Sequence, residues 1–237
     1  MSSKIPHTFL ESSEATVNVS YTDFASGTGI VQFFLGNTAS ANRLSENAFY
    51  SDDRFIKSTV ITTATPTLVL DEDFDATFLR PVIIDGQAIF SLGIAMANDE
   101  DASFNVYAVI KVRSWDGTTE TDIVSVSGVA TPKNWLPGAA IQKGFTSHTL
   151  NVDIPRTTFK IGESLRITVE LWSASNGTGD IQLALGVDPQ NRTGAYPGNQ
   201  DQDQWGDFIS GDQPLDVSAI GGAFANSSAH IPFKIDI

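Results

Sequence analysis

The 237-residue chain contains no cysteine. That excludes disulfides, thiolate nucleophiles and Cys-ligated zinc or iron–sulfur centres. Cationic side chains are scarce: 14 Lys and Arg stand against 28 Asp and Glu, for a net charge of −14. No basic run interrupts this balance, which argues against a phosphate-backbone partner, so no nucleic-acid binding is expected. Histidine occurs three times, as His7, His148 and His230, in no metal-ligand spacing such as H-E-x-x-H. No G-x-S-x-G elbow is present either. The sequence therefore predicts no histidine-based active site and a protein that is not an enzyme. His148 is expected on the polar face at the head of a strand. Long apolar runs are missing as well. The longest, "AIFSLGIAMA" at 88–97, is about half the length of a membrane helix. The opening "MSSKIPHTFLESSEATV" has no apolar signal-peptide region. Neither a membrane partner nor a secretion signal is expected.

What the chain does have is alternation. Val17, Val19 and Tyr21 share one face of "TVNVSY". "GIVQFFLG", "KSTVITT", "TLVL", "FLRPVII", "QAIFSLGIAMA", "ETDIVSVSGVA", "DIQLALGV" and "HIPFKIDI" read as further short strands. In "SFNVYAVIKVRSW", Phe104, Val106, Ala108, Ile110 and Val112 alternate with Asn105, Tyr107, Val109, Lys111 and Arg113. Asp116-Gly117 signals a hairpin turn. In "HTLNVDIPRTTFKIGESLRITVELWS", Leu150, Val152 and Ile154 face a core, Pro155 is expected to end the strand, and Gly162 supplies a turn. Leu165, Ile167, Val169 and Leu171 then point inward, with Arg166, Thr168, Glu170 and Trp172 outward. The only helix signal, at 41–55, is enough for a turn or two. The expected fold is all-β, an antiparallel β-sandwich of jelly-roll type, with 1–237 as one domain and a possible subdivision near 131–145. Pro81 and Pro155 are expected to blunt two sheet edges. The ends of the chain, 1–13 and 227–237, show little core patterning and are expected to reach toward neighbours.

Carboxylates cluster in "LDEDFDATF" (Asp71, Glu72, Asp73, Asp75), in "NDEDA" (Asp99, Glu100, Asp101) and in "NQDQDQWGDF" (Asp201, Asp203, Asp207). All three read as solvated acidic loops. Alternating acids are also the hard-oxygen pattern that rings calcium, so Asp201, Asp203 and Asp207 are the candidate calcium ligands; no other cofactor is expected. No EF-hand is present: the sixth and twelfth positions are Ala76 and Val82 counted from Asp71, and Gln204 and Ser210 counted from Asn199. A two-carboxylate glycosidase site is not marked by any spacing. The long polar stretch 188–216 carries Tyr196, Trp205 and Phe208. With the outward Trp172 they are the candidate interaction residues, suited to protein contact or sugar stacking or to anchoring the loop on its own domain.

The stretch 148–194 joins an alternating strand, "IPRTTFKIGESLRITVELW", a turn and "GVDPQNRTG". It resembles proteins encoded among the virion genes of environmental phages and archaeal viruses. The resemblance implies a virion structural protein, capsid or capsid-associated (shell, decoration or spike base). Such a protein works in the virion with other virion proteins and with copies of itself, as trimers or pentamers around a capsid axis. The F-x-x-G-E-x-L-R turn formed by Phe159, Gly162, Glu163, Leu165 and Arg166 also occurs in jelly-roll carbohydrate-binding modules. That gives the alternative: a carbohydrate-binding or receptor-binding lectin-like domain with a glycan partner.

Overall fold

The structure is a computed structural model that describes residues 28–38, 40–98, 104–128, 131–133, 142–175, 181–190 and 226–234. Twelve strands run in chain order: β1 (Thr28–Thr38), β2 (Ala41–Ser45), β3 (Phe55–Lys57), β4 (Thr67–Thr77), β5 (Val82–Asn98), β6 (Phe104–Trp115), β7 (Glu120–Ser127), β8 (Thr131–Lys133), β9 (Gln142–Phe159), β10 (Ser164–Ser175), β11 (Ile181–Gly186) and β12 (Ser227–Lys234). They pair in the order β3-β11-β5-β12-β1-β2-β4-β10-β6-β7, with β9 added to β5 and β8 to β6. All ladders are antiparallel except the join of β2 to β4, a single parallel pair of Arg43 with Asp75. On the far side β7 and β9 approach each other without a ladder; a Cβ on Gly128, just after β7, would lie 3.3 Å from the Leu150 side chain of β9. The fold is an all-β, antiparallel β-sandwich of jelly-roll type.

Alternation builds the core. Leu165, Ile167, Val169 and Leu171 of β10 are all fully buried. They meet the inward faces of β5 (Ile84, Phe90, Leu92, Ile94), β6 (Ile110, Val112) and β9 (Leu150, Val152, Ile154) in one hydrophobic cluster. Phe159 closes it from the end of β9, edge-on to Phe78 at 5.2 Å between ring centres. The β9–β10 turn needs a left-handed residue, and Gly162 takes it at φ 86°. Its N–H donates to the Phe78 carbonyl, so this turn is tied to the β4–β5 connection. The Asp116-Gly117 hairpin forms as the sequence predicts: the Asp116 carboxylate accepts from the Thr118 and Thr119 N–H groups and the Thr118 hydroxyl, which hold it below its usual range.

Several expectations are corrected. Pro155 does not end its strand. Ile84 pairs with Thr157 and Gly86 with Ile154, so Pro155 and Arg156 sit in a β-bulge where no ladder donor is needed and β9 continues to Phe159. Among the described residues β9 pairs only with β5, so Pro155 does lie on an edge strand, whereas Pro81 precedes β5 and belongs to no strand. His148 is buried on the inward face with Leu150; period two requires this, since both positions are even. The stretch 41–55 forms no helix; β2 pairs with β1 and β3 with β11. "LDEDFDATF" is a strand, not a loop. The segment 227–234 is no free arm but β12, between β1 and β5, with Ala229 and Ile231 in the core. Residues 1–13, the strand around Val17, the "NDEDA" acids and His7 lie outside the described residues.

Replacing Leu165 or Leu171 by Ala opens a cavity in this cluster and is expected to cost about 2–5 kcal/mol. Ile161→Ala, at a turn residue 68% exposed, is expected to fall within about 0.5 kcal/mol of wild type. Chemical denaturation monitored by tryptophan fluorescence checks both, and equal losses would show the register to be wrong.

Candidate functional site

The outward face of β4, β10, β6 and β7 collects most of the chemistry visible in the described residues. A bulge sets it up. Leu171 pairs with Leu70 and Trp172 with Leu68, leaving Val69 as an extra residue on β4. Val69 and Leu70 are both buried, and the strand then resumes with Asp71, Asp73 and Asp75 outward. Opposite them on β10 stand Glu170, Thr168 and Arg166. On β6 the facing residues are Val109, Lys111 and Arg113, and on β7 Asp122 and Glu120 follow.

Arg166 is the centre of this face. Its Nε and Nη2 donate to the two oxygens of Asp75, both at 2.7 Å. Nη1 donates to Glu120 Oε1 at 2.7 Å and lies 3.3 Å from Asp73 Oδ2. The guanidinium stacks over Trp115, 4.3 Å from the ring centre. The hydrogen bonds it donates to Asp75, and then to Glu120, hold its pKa above an already high range. Arg113 repeats the pattern with Asp122 (2.7 Å), Glu120 (3.0 Å) and the Thr168 hydroxyl (3.2 Å). Lys111 pairs with Glu170, and the Trp172 indole N–H donates to the same carboxylate at 2.8 Å. A single exposed ion pair contributes little, but a bidentate, multiply shared arginine is a brace. The outward face is consequently not solvent: Thr168 is 1% and Glu170 4% exposed. Asp71 faces Glu170 across the ladder, and burial with repulsion from Glu170 and Asp73 raises its pKa.

Trp172 is the one predicted interaction residue within the described part. It is half-buried and stacks on Tyr107 of β6, its ladder partner, at 6.0 Å and 11° between planes. Tyr107 was visible in the sequence only as a polar-face position; its pairing depends on a register no local pattern encodes. Tyr196, Trp205 and Phe208 lie outside the described residues, as do Asp201, Asp203 and Asp207. Among the described residues no group of three His, Asp or Glu is placed to hold a metal. A second polar cluster was not read from sequence. Asn37 at the end of β1 binds Ser51 Oγ through its N–H (2.8 Å) and Asp53 through its amide (2.6 Å), fastening the connection 46–54. Phe49 from this connection lies against Gly36, where an added Cβ would come 2.4 Å from the ring, and Arg43 covers its face at 3.9 Å.

Two substitutions probe the electrostatics. Arg166→Met strands Asp73 and Asp75 and is expected to lower stability by about 1–3 kcal/mol, with Arg166→Lys intermediate because it keeps the charge but loses the fork; urea melts report both. Glu72 points inward from β4 and accepts from Asn42 Nδ2 at 2.6 Å. Burial, outweighing that hydrogen bond, raises its pKa above 4.5. Its contribution to stability is therefore present below pH 4.5 and is lost as pH rises through the folded value. Glu72→Gln is expected to raise the melting temperature at pH 7, the difference closing as pH falls below 4.5.

No protein-family model and no curated protein matches the chain. Among solved structures, an aminopeptidase from a marine-sediment Thaumarchaeota archaeon aligns with 86% of this chain and 37% of its own, at 11% identity and TM-score 0.48. A CocE/NonD family hydrolase from Staphylococcus aureus aligns over 87% and 36%, at 12% identity and TM-score 0.44. The VP2 subviral particle of infectious bursal disease virus aligns over 85% and 41%, at 12% identity and TM-score 0.30. The chain spans less than half the length of each of these neighbours. Hydrolases and viral capsid proteins both stand among the weakly similar folds, and the likeness selects neither.

Proposed function

We propose that the chain is a non-enzymatic structural subunit of a virion, a capsid or capsid-associated component that works by assembling with other virion proteins and with copies of itself. The resemblance of 148–194 to virion proteins supplies the class. The observation that carries the reading is how the ionisable groups on the β4–β10–β6–β7 face are used. Arg166, Arg113 and Lys111 are each committed to carboxylates of neighbouring strands, which braces a plate and does not converge on a substrate. A rigid plate with broad faces suits a shell better than a catalyst. The stacked Tyr107–Trp172 pair favours one other reading, a carbohydrate-binding module that seats a sugar on these rings.

Purified particles decide between the two. A shell or decoration subunit is expected to co-sediment with intact virions in fixed stoichiometry through a density gradient. Absence from particles, together with glycan-array hits abolished by Trp172→Ala, would replace the assembly reading with the carbohydrate one.

A further inference from the structure

Outward residues on β4, β10, β6 and β7 line up in rows across the strands. The cations of this face, Arg166, Arg113 and Lys111, stand on the two rows nearest the β9–β10 turn. The third row sets Asp71 beside Glu170 and Val109, two acids with no base. The fourth row is Leu68, Trp172 and Tyr107, hydrophobic and aromatic throughout. Leu68 is 37% exposed and the two stacked rings are half-buried, so this row reaches solvent. Lys111 reaches Glu170 from the neighbouring row, and the Trp172 indole donates to the same carboxylate. Asp71 is exposed and fares worse. Partial desolvation, then repulsion from Glu170 and Asp73, outweighs the pull of Lys111 and Arg113 and raises its pKa. A carboxylate whose ionised form is disfavoured in this way does not stabilise the fold at neutral pH. Local conflicts of this kind gather where a surface has work beyond folding.

We propose that the third and fourth rows are the docking site of a basic segment of a partner protein, an extended stretch that carries arginine or lysine. Charge names the occupant. A chain of −14 attracts a cationic segment, and the acid-only row is where its charge is answered least by the fold itself. A bare metal ion gains nothing from Leu68 and two rings, and a neutral sugar gains nothing from Asp71. An arginine uses both: its stem lies on Leu68, and its guanidinium covers an aromatic ring and faces Asp71. The guanidinium also replaces the solvent that the acid row gives up on docking. Three strands about 4.8 Å apart make the aromatic row about 10 Å wide, room for more than one side chain of the segment.

This inference does not depend on the virion reading, and its test needs no particles. Fluorescence anisotropy of a labelled hexaarginine peptide, titrated with the full chain in about 0.15 M salt, is expected to show saturable binding that weakens as salt is raised. Trp172→Ala is expected to weaken binding at least about fivefold, and Trp172→Phe, which keeps a ring, by less. Asp71→Asn is expected to weaken it about threefold. Its melting temperature at pH 7 is expected to be no lower than wild type, because the charge removed does not stabilise the fold. Asp153→Asn removes the same charge from an exposed position on the opposite face and is expected to change binding much less. No saturable binding would overturn the site. So would equal losses from Asp71→Asn and Asp153→Asn, which mark diffuse attraction to an acidic chain. Glycan-array hits abolished by Trp172→Ala, with hexaarginine unbound, would give the row to a sugar instead. Binding with the stated losses supports the site even if the chain is absent from virions, a result that removes only the virion role.

Discussion

Arg166 holds together strands that the rest of the architecture would push apart. β4 brings three carboxylates to one side of β10, and β7 brings Glu120 and Asp122 to the other side of β6. Without a cation between them, these acids would confront each other across a sheet only a few strands wide. The guanidinium reaches Asp75 and Asp73 on one flank and Glu120 on the other. Only a planar group with five donors can do this at once; an ammonium serves one neighbour well. Within the network Thr168 bonds Asp73 and accepts from Arg113, and Glu170 pairs with Lys111 and accepts from Trp172, and both are buried.

The orientation of the acids depends on the core. β4 carries Val69 and Leu70 in succession, and a strictly pleated strand would send one of them to solvent. The bulge buries both, and this shift puts Asp71, Asp73 and Asp75 on the arginine side, with Glu72 and Phe74 inward. Phe74 is fully buried. Glu72 is the residue this register serves poorly: it is drawn inward with one amide donor from Asn42, and burial raises its pKa. The Pro155 bulge on β9 is the counterpart on the other sheet, where a residue unable to donate is absorbed by giving it an unpaired position.

These devices mark the boundary of what local pattern reveals. Alternation identified the inward residues of β6, β9 and β10, because a side chain's face depends only on its parity within a strand. The turns at Gly117 and Gly162 were legible because each needs a residue tolerant of positive φ. What failed depended on distant partners. Pro155 reads as a stop unless Asp85 and Gly86 are known to lie opposite. "LDEDFDATF" reads as a loop unless Arg166 is known to compensate it, since a run of acids has poor strand propensity on its own. The stretch at 41–55 reads as a weak helix until β1 offers β2 a ladder. β12, near the end of the sequence, became a central strand because β1 and β5 both needed an edge filled. Of the candidate site only Trp172 could be followed into the structure, and its partner Tyr107 was set by register alone.

The same reasoning extends to how such a molecule meets others. Each face of a sandwich presents the alternate residues of its strands, so the sequence assigns every strand one inward and one outward set, and the core fixes which is which. On β4, β6, β7 and β10 the outward set is ionic, with its cations committed to carboxylates of neighbouring strands and its acids in excess. On β1, β5, β9 and β12 the outward set centres on Gln, His, Ile and Asn, without committed charge. Desolvating that second surface is cheap in electrostatic terms, because a neutral amide or an isoleucine loses far less on leaving water than an unpaired carboxylate. The ionic face would first have to give up the solvent that stabilises its excess acid. The difference between the two sides arises from a single constraint: the arginines and Lys111 of β6 and β10 stand on the same face as the acids of β4 and β7.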